Sequence, residues 1–433
     1  MRRCSWGVRG GTRRVPFWDT GRVKRVLLVL SQMPQDPASG AARSLRTMCE
    51  LLGSSPDRFE VRAVACTGVE HAVPESAETL LSDAGITPAI EPASGARERV
   101  LRFVRHGVSY ALLDTGVRAL HLCDGATNRS FDDLLDAEAR AFHPDIALTF
   151  GGQASETARR RRLRESGAAV VFGLRNHSYR VPGAFRDVDL VITPSRYLSD
   201  VYERYCGLQS VALPVPLNES EVLAPEREAV FFTFVNPSPE KGVMFFARLA
   251  EEVSRKRPDI GFMVVESRGT GGTLIRAGLA GGFDLRCRGN IVCSRGVAEP
   301  KHIYAATRVL LVPSVWEEPS GRVAGEAMLN GVPPIVSNRG GLPETVGEGG
   351  FILGLPDALT PASRVPVAAG QVGEWAALIE RLADDEAFYA DCCAKARSQG
   401  EALTPSALAP LYQGVFEGAA RGSDGTLGPG VVG

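Results

Sequence analysis

Two glutamates lie on either side of a short glycine loop in the second half of the chain. Glu318 precedes Pro319, Ser320 and Gly321, and Glu326 follows eight positions after Glu318. An anionic phosphate alone would not select two carboxylates as neighbours, whereas a ligand with hydroxyl groups on both sides of a phosphate would. A nucleotide sugar has this chemistry, because ribose lies on one side of its diphosphate and a hexose on the other.

The loop lies between a predicted strand and a predicted helix. Residues 309–312 form an apolar run that indicates a buried parallel strand. Apolar spacing predicts a helix from about residue 321 to residue 330, and Gly331 is a typical helix stop. The first amides of a helix lack partners within it and lie at the positive end of its dipole. This segment, with Gly321 allowing close approach to the backbone, therefore predicts an anion site.

The same stretch resembles glycosyltransferase family 4, the group 1 glycosyltransferases, which have an E-x7-E signature and the GT-B fold. The residues that match in order and spacing are Pro313, Ser314, Glu318, Pro319, Gly321, Glu326, Ala327, Met328, Gly331, Val332, Pro333, Gly340, Gly341, Leu342, Pro343 and Glu344. The resemblance implies an α/β protein with two doubly wound, Rossmann-like domains that face each other across a cleft. It also implies that Glu318 holds donor-sugar hydroxyls and Glu326 the ribose hydroxyls. The alternative makes Glu326 a solvated helix residue and Glu318 a turn residue.

The resemblance also predicts which residues bind the nucleotide-sugar donor. The predicted donor-binding residues are Gly40, Asn236, Lys241, Ser320, Gly321, Arg322, Val323 and Glu326. Lys241 stands where the family has a lysine, and its charge would offset charge on the leaving group, although an ordinary surface lysine is the alternative. Asn236 stands where the family usually has an arginine. Arg322, Arg268 or Arg339 would then supply the missing charge.

A second glycine loop occurs near the start of the chain. Residues 26–31 form an apolar run, and Gly40 precedes a predicted amphipathic helix at residues 41–52. Strand, loop and helix in this order are typical of the first unit of a doubly wound domain, whose ligands bind at the carboxyl ends of strands. A plain helix start at Gly40 is the alternative.

A histidine near the donor sugar is common in the resembled family. Arg175 lies at the approximate position in this chain, and His177 follows two residues later. We therefore take His177, with Glu318 and Lys241, as the candidate catalytic residues. The alternative is a loop histidine that is satisfied by its own contacts.

Three charged segments predict a function less specifically than the motifs above. Residues 97–106 read as a basic amphipathic helix, which either meets an anionic acceptor or membrane surface or covers its own domain. Residues 159–164 read as the solvated face of a helix. Asp187 and Asp189 match a metal-binding D-x-D motif, but they lead directly into a predicted strand. We therefore predict no metal and no cofactor besides the nucleotide-sugar substrate.

Length and composition bound these interpretations. The 433 residues suffice for two domains, and a net charge of −1 provides no general field for nucleic acid. Nine cysteines without a CxxC motif favour a reduced, cytoplasmic protein. The predicted organisation is a disordered basic leader (1–22), an acceptor domain (23–208), a donor domain (209–395), a closing helix (396–420) and a disordered tail (421–433).

The resemblance thus implies a metal-independent, retaining glycosyltransferase. Its partners would be a UDP- or GDP-sugar and the hydroxyl of a polysaccharide, glycolipid or small-molecule acceptor. Peripheral contact with the inner face of a membrane is left open. A nucleotide-sugar epimerase or a phosphorylase would share the fold, and a catalytically silent nucleotide-binding module would share the binding residues.

Overall fold

The computed structural model describes most of the chain. It covers residues 22–36, 39–70, 75–93, 98–116, 119–120, 124–181, 183–296, 299–363 and 365–420. The predicted leader, apart from residue 22, and the predicted tail lie outside these ranges. None of the helices within them has both the length and the apolar content of a membrane span.

A nine-stranded sheet forms the first α/β unit. Its strands are β1 (Lys24–Leu30), β2 (Phe59–Cys66), β3 (Ala89–Pro92), β4 (Arg99–Arg105), β5 (Val108–Leu113), β6 (Ile146–Thr149), β7 (Ala169–Gly173), β8 (Leu190–Thr193) and β9 (Val211–Ala212). Their order is β3-β4-β5-β2-β1-β6-β7-β8-β9. All neighbouring strands pair in parallel except β3 with β4 and β4 with β5. Buried apolar runs such as β1 and β7 suit a parallel sheet covered on both faces.

A six-stranded parallel sheet forms the second unit. Its strands are β10 (Phe231–Val235), β11 (Phe262–Val265), β12 (Ile291–Ser294), β13 (Thr307–Val312), β14 (Pro334–Ser337) and β15 (Phe351–Leu353). Their order is β12-β11-β10-β13-β14-β15. The carboxyl ends of β10 and β13 are therefore neighbours, which brings the loops after them together.

Helices cover both sheets. They are α1 (Gly40–Gly53), α2 (Ala77–Asp83), α3 (Gly125–Phe142), α4 (Ala154–Glu165), α5 (Arg196–Cys206), α6 (Glu219–Val222), α7 (Val243–Lys256), α8 (Gly271–Ala280), α9 (Lys301–Ala305), α10 (Arg322–Leu329), α11 (Leu342–Val346), α12 (Gly373–Asp384), α13 (Glu386–Glu401) and α14 (Pro405–Ala419). Helices α1, α7 and α10 each follow a strand and a loop, as the sequence predicts.

The last helix returns to the first unit. Leu408, Tyr412 and Phe416 of α14 are buried in the core of the first sheet, and the Tyr412 hydroxyl donates to the Pro214 carbonyl at 2.8 Å. The chain thus crosses between the units twice. The two crossing segments lie side by side, because the Leu217 amide donates to the Leu403 carbonyl at 3.0 Å.

The helix predicted at residues 97–106 is wrong, because described residues 98–113 form a β-hairpin. His106 and Gly107 connect β4 to β5 with φ values of 47° and 74°. Two positive φ values in a two-residue connection match the strand twist of a tight hairpin. Gly107 also allows close approach, since a Cβ there would overlap the backbone of Gly53. The prediction of membrane contact thereby loses the helix on which it rested.

Two other predictions need correction. Arg159 and Arg160 are 2% and 0% exposed, so only part of the 159–164 face is solvated. The first sheet also ends at Ala212, beyond the domain boundary predicted at residue 208. Both differences have the same origin, because long-range packing and strand pairing decide them and the local sequence does not.

Candidate active site

The predicted glycine loop connects β13 to α10 at the carboxyl edge of the second sheet. Gly321 caps α10 with a φ of 86°, and a Cβ at this position would overlap the Leu342 side chain. Both facts require glycine. Ser320 is fixed from the other side, because the Thr345 hydroxyl donates to its carbonyl. The result is a rigid turn whose following amides point outward at the start of α10.

Both glutamates are buried beside this turn. Glu326 is 3% exposed, and its carboxylate accepts hydrogen bonds from Arg322 Nε at 2.7 Å and the Tyr304 hydroxyl at 3.0 Å. Glu318 is 8% exposed and accepts from the Ser314 hydroxyl at 2.8 Å. The alternative of a solvated helix residue is therefore wrong for Glu326. The Tyr304 hydroxyl also donates to the Val323 carbonyl at 3.1 Å.

Lys241 forms an ion pair with Glu318 across the two loops. Its position follows from Gly242, which has a φ of 85° and lies so close to Pro313 that a Cβ would overlap the Pro313 carbonyl. The loop before α7 is thereby pressed against the end of β13. Lys241 is thus held beside residues 318–321 and the start of α10, which together we call the cradle, and is not an ordinary surface lysine.

Asn236 contacts the protein itself, and its role towards a donor stays a prediction. Its backbone is left-handed, with a φ of 62°, and its side-chain Oδ1 accepts a hydrogen bond from the Gly269 amide at 2.8 Å. Asparagine tolerates this conformation better than most residues. The side chain therefore joins two loops behind Lys241 and brings no positive charge to the site.

Two arginines have unused hydrogen-bond donors beside the cradle. Arg322 Nη1 and Nη2 and Arg339 Nε and Nη2 are buried and have no partner within the part of the chain that the structure describes. Arg268, the third candidate for the missing charge, is exposed. Buried guanidinium groups normally use their N–H donors, so those of Arg322 and Arg339 are available to an anionic ligand.

His177 belongs to the first unit but contacts the loop that carries Glu318. Arg180 donates to His177 Nδ1 at 2.8 Å, so Nε2–H donates to the Glu317 carbonyl at 3.0 Å. Burial lowers the pKa of His177, which keeps the ring neutral near pH 7. The structure thus brings His177 next to Glu318, where it fixes the backbone. Arg175 is buried, and its three guanidinium nitrogens have no partner among the described residues.

Gly40 lies at the start of α1, but packing does not require glycine there. A Cβ would meet no atom within 4 Å, and Ser39 caps the helix by accepting from the Ala42 amide at 3.3 Å. Arg43, in the first turn of α1, extends to within 4.0 Å of Glu326. Burial and the nearby Arg322 lower the pKa of Arg43 to about 10. The first helix therefore faces the cradle, as the glycine-loop pattern predicts.

Several residues form hydrogen bonds between the two units, and the local sequence does not indicate this role. The Tyr197 hydroxyl donates to the Glu317 carboxylate at 2.7 Å, and Ser195 Oγ donates to the Pro319 carbonyl at 2.5 Å. Glu344 accepts from the Arg196 and Tyr197 amides at 3.0 and 3.1 Å, which caps α5 of the other unit. The sequence motif that carries the family resemblance includes Glu344 without indicating this role.

Comparison with known proteins finds a family match within the second unit. Residues 217–399 match the family described as glycosyl transferases group 1. The match lies within the second unit and covers less than half of the chain. Over 60 residues the chain is also 47% identical to spore coat protein SA of Bacillus subtilis strain 168, a match that covers 13% of this chain and 16% of that protein.

Solved glycosyltransferases have the same fold over nearly the whole chain. Sucrose-phosphate synthase from Thermosynechococcus elongatus matches with a TM-score of 0.60 at 17% identity, covering 91% of this chain and 99% of that one. Anabaena HepE, solved in complex with UDP-glucose, matches with a TM-score of 0.59 at 15% identity, covering 90% and 99%. The chain therefore has the GT-B fold, with two Rossmann-like domains across a cleft.

The D-x-D motif has other contacts in this GT-B chain. Asp187 pairs with Arg161 at 3.3 Å, and Asp189 pairs with Arg164 at 3.0 Å. Asp189 also accepts from the Val170 amide at 2.9 Å, which fixes the start of β8. Both aspartates therefore stabilise the first sheet. Their contacts lie far from the cradle in sequence. Within the described ranges, no cluster of three metal-ligating side chains occurs.

Proposed function

We propose that this chain is a retaining glycosyltransferase that transfers a sugar from a nucleotide-diphosphate donor to an acceptor hydroxyl. One observation carries the proposal. A rigid helix start lies between two buried carboxylates, Glu318 and Glu326, and buried N–H donors of Arg322 and Arg339 have no partner among the described residues. Carboxylates suit the hydroxyl groups of sugar and ribose, and guanidinium groups suit the diphosphate between them.

The proposed roles follow from the contacts. Glu326 binds the ribose and Glu318 the transferred sugar, while Lys241, Arg322 and the first amides of α10 bind the diphosphate. Charge developing on the leaving diphosphate would be stabilised by these preorganised donors. Neither glutamate is proposed as a nucleophile. The leaving diphosphate would accept the acceptor proton on the same face, so the anomeric configuration is retained.

The site as proposed uses no metal, because the cations of the protein face the diphosphate. We propose a UDP- or GDP-sugar as donor, in line with the UDP-glucose complex of the HepE relative. The cysteines in the described residues are all free, which supports a cytoplasmic location.

A thermal-shift screen tests the donor class. A ligand that binds only the folded state raises the unfolding midpoint. The panel would contain UDP-, GDP-, ADP- and dTDP-sugars, and we expect a shift with UDP- or GDP-sugars that is lost in Glu326→Ala. No shift with any member of the panel would contradict the proposal.

Product analysis separates transfer from the alternatives. A transferase gives a new glycoside only when an acceptor is present. An epimerase converts the donor sugar without an acceptor, and a phosphorylase needs inorganic phosphate. A silent binding module would show the thermal shift but no product under any of these conditions.

A further inference from the structure

Arg175 is a buried arginine whose charge has no partner within the described residues. It follows β7, it is 6% exposed, and its Nε, Nη1 and Nη2 atoms have no hydrogen-bond partner in the part of the chain that the structure describes. Burial lowers the pKa of Arg175, and the one described group that acts against this is Tyr412. Arginine keeps its proton in proteins. The positive charge is therefore not compensated by any described carboxylate.

Other buried arginines of the first domain use their donors. Arg159 and Arg160, on helix α4, are 2% and 0% exposed. Their partners are Asp132 and Ser31 for Arg159 and the carbonyls of Gly151 and Ala184 for Arg160, at distances of 2.7 to 3.2 Å. A buried guanidinium is costly without such partners. We therefore expect the partner of Arg175 in a ligand, and a charged donor of this kind calls for an anion.

Arg175 lies beside the loop that carries Glu318. Two residues after Arg175, the His177 ring donates to the Glu317 carbonyl at 3.0 Å. Strand β8 pairs with β7 up to the last residue of β7, so the segment after β8 runs beside Arg175. In that segment Ser195 Oγ donates to the carbonyl of the residue after Glu318 at 2.5 Å. Contacts next to Arg175 thus hold both neighbours of Glu318.

The start of α1 lies level with Arg175. Gly173, two residues earlier on the same face of β7, packs so closely on α1 that a Cβ would overlap the Leu45 side chain. Arg175 is about 7 Å nearer to the carboxyl edge of the sheet than Gly173, and Gly40 is about 7 Å nearer to it than Leu45. The first amides of α1 have no partner within the helix. A ligand group bound to Arg175 would therefore lie between the start of α1 and the Glu318 loop.

The position of Arg175 separates the expected anion from the donor diphosphate. Under the proposed function, Lys241, Arg322 and the start of α10 bind the diphosphate in the second domain, whereas Glu318 binds the transferred sugar. The anion beside Glu318 then belongs to that sugar. A carboxylate fits a guanidinium that is closed off from solvent, because it replaces a hydroxymethyl group with little added volume. Its two oxygens also match the N–H fork of arginine.

We propose that Arg175 binds a carboxylate of the transferred sugar, so that the donor is a nucleotide diphosphate linked to a uronic acid. The inference rests on the proposed glycosyl transfer and narrows its donor class. Arg175 is then the residue that determines specificity. A neutral hexose would leave the buried charge unpaired, and without Arg175 the Glu318 carboxylate would repel a sugar acid.

Calorimetry with matched donor pairs tests the ligand class on the full chain. The pairs are UDP-glucuronate with UDP-glucose and UDP-galacturonate with UDP-galactose, whose members differ only at the carboxylate. If guanine is the preferred base, GDP-mannuronate and GDP-mannose form the pair. We expect at least one acid to bind about 10-fold more tightly than its neutral partner. Neutral donors that bind as tightly as the acids would overturn the proposal.

Arg175→Met tests the residue, and Arg160→Met is its matched control. Arg175→Met should lose the preference for the acid and keep the affinity of the wild type for UDP, which carries no sugar. Arg175→Lys keeps the charge without the fork and should retain part of the preference. Arg160→Met should keep the whole preference below its unfolding midpoint. An unchanged preference in Arg175→Met would refute the assignment.

Thermal unfolding without ligand separates a ligand-binding role from a structural one. Removing an unpaired buried charge should leave the midpoint of Arg175→Met equal to that of the wild type or higher. Arg160→Met should lower the midpoint, because two buried carbonyls lose their donors. An equal fall in Arg175→Met, or its failure to fold, would make Arg175 a structural residue and overturn the proposal.

Free anionic sugars test the acceptor as the source of the anion. The probes are glucuronate and glucose 6-phosphate, added with saturating UDP-glucose so that the donor site is filled, and binding is followed by saturation-transfer NMR. We expect no binding that depends on Arg175. Binding to the wild type that is lost in Arg175→Met would place the anion on the acceptor and overturn the proposal.

Calorimetry with UDP alone separates failure of this inference from failure of the proposed function. If UDP does not bind the wild type, the proposed function fails. If UDP binds and the acids show no preference, only the assignment of Arg175 fails.

Discussion

Replacing Glu318 by glutamine should have opposite effects on nucleotide binding and on turnover. In the structure the Glu318 carboxylate pairs with Lys241 and accepts from Ser314. Glutamine keeps a partner for Ser314 but removes the negative charge. Lys241 then no longer has to leave an ion pair in order to reach the diphosphate, and a carboxylate no longer repels the phosphate oxygens.

The size of the binding effect follows from the burial of the pair. The Glu318 and Lys241 side chains are 10% and 27% exposed. A hydrogen bond between charged groups contributes about 1.5–3 kcal/mol, and partial exposure of the lysine favours the lower end. Since about 1.4 kcal/mol is a factor of ten, Glu318→Gln should bind UDP or GDP up to about 10-fold more tightly. Turnover should fall by about 10²-fold, or 2.7 kcal/mol, because the sugar hydroxyls lose a charged acceptor.

The assay pairs calorimetry with initial rates. Nucleoside diphosphate affinity is measured with UDP and GDP, and kcat and KM with the donor that the thermal-shift screen selects. Glu348→Gln, at an exposed carboxylate of the same domain, is the control and should change neither quantity. A 10-fold loss of diphosphate affinity in folded Glu318→Gln would move Glu318 to the nucleotide side. Unchanged turnover would make the E-x7-E match accidental at this position.

Four further predictions concern the same cleft. Glu326→Ala should weaken UDP binding by about 1.5–3 kcal/mol in calorimetry and also lower the unfolding midpoint, since Arg322 loses its buried partner; unchanged affinity would remove Glu326 from the site. Activity should survive EDTA, and a complete loss restored by Mn²⁺ would contradict the metal-independent proposal. Gly321→Ala should unfold at lower temperature and lose turnover, because alanine suits neither the φ of 86° nor the contact with Leu342; wild-type behaviour would refute the rigid turn. The fourth concerns Glu221: burial would raise its pKa, but neighbouring arginines, Arg46 above all, outweigh burial and lower the pKa from 4.5 to about 2. The free energy of unfolding should therefore fall by up to about 3 kcal/mol as the pH drops from 4.5 towards 2, and urea titrations of Glu221→Gln should lack this component.

The half of the candidate site in the second domain could be predicted because its signals are local. The end of β13, the loop with Gly321 and the start of α10 are contiguous in sequence, and each has a residue type that its backbone requires. Glu318 and Glu326 are positioned by this one unit, and the structure buries both of them beside it. Their roles towards a ligand stay predictions.

The remaining features depend on contacts between distant segments. The basic residues at 97–106 alternate with apolar ones in a way that fits either a helix or a strand. The two-residue turn at His106 and Gly107 makes this segment part of a hairpin. Arg159 and Arg160 look like surface residues, because nothing local shows that the ends of β1 and β6 need their N–H groups. Arg43 reaches Glu326 only once the two domains face each other.

The paired crossing segments near Leu217 and Leu403 have a mechanical consequence. Both ends of the second domain connect to the first domain at this one place, where they are hydrogen-bonded to each other. The second domain is therefore inserted into the first and is attached to it by two adjacent segments. Sliding one domain along the other would shear both segments, whereas rotation about their common line would strain neither. Polar contacts between the domains, such as Ser195 with Pro319 and His177 with Glu317, oppose such a rotation. Breaking these polar contacts would leave rotation about the crossing segments as the motion that strains the chain least.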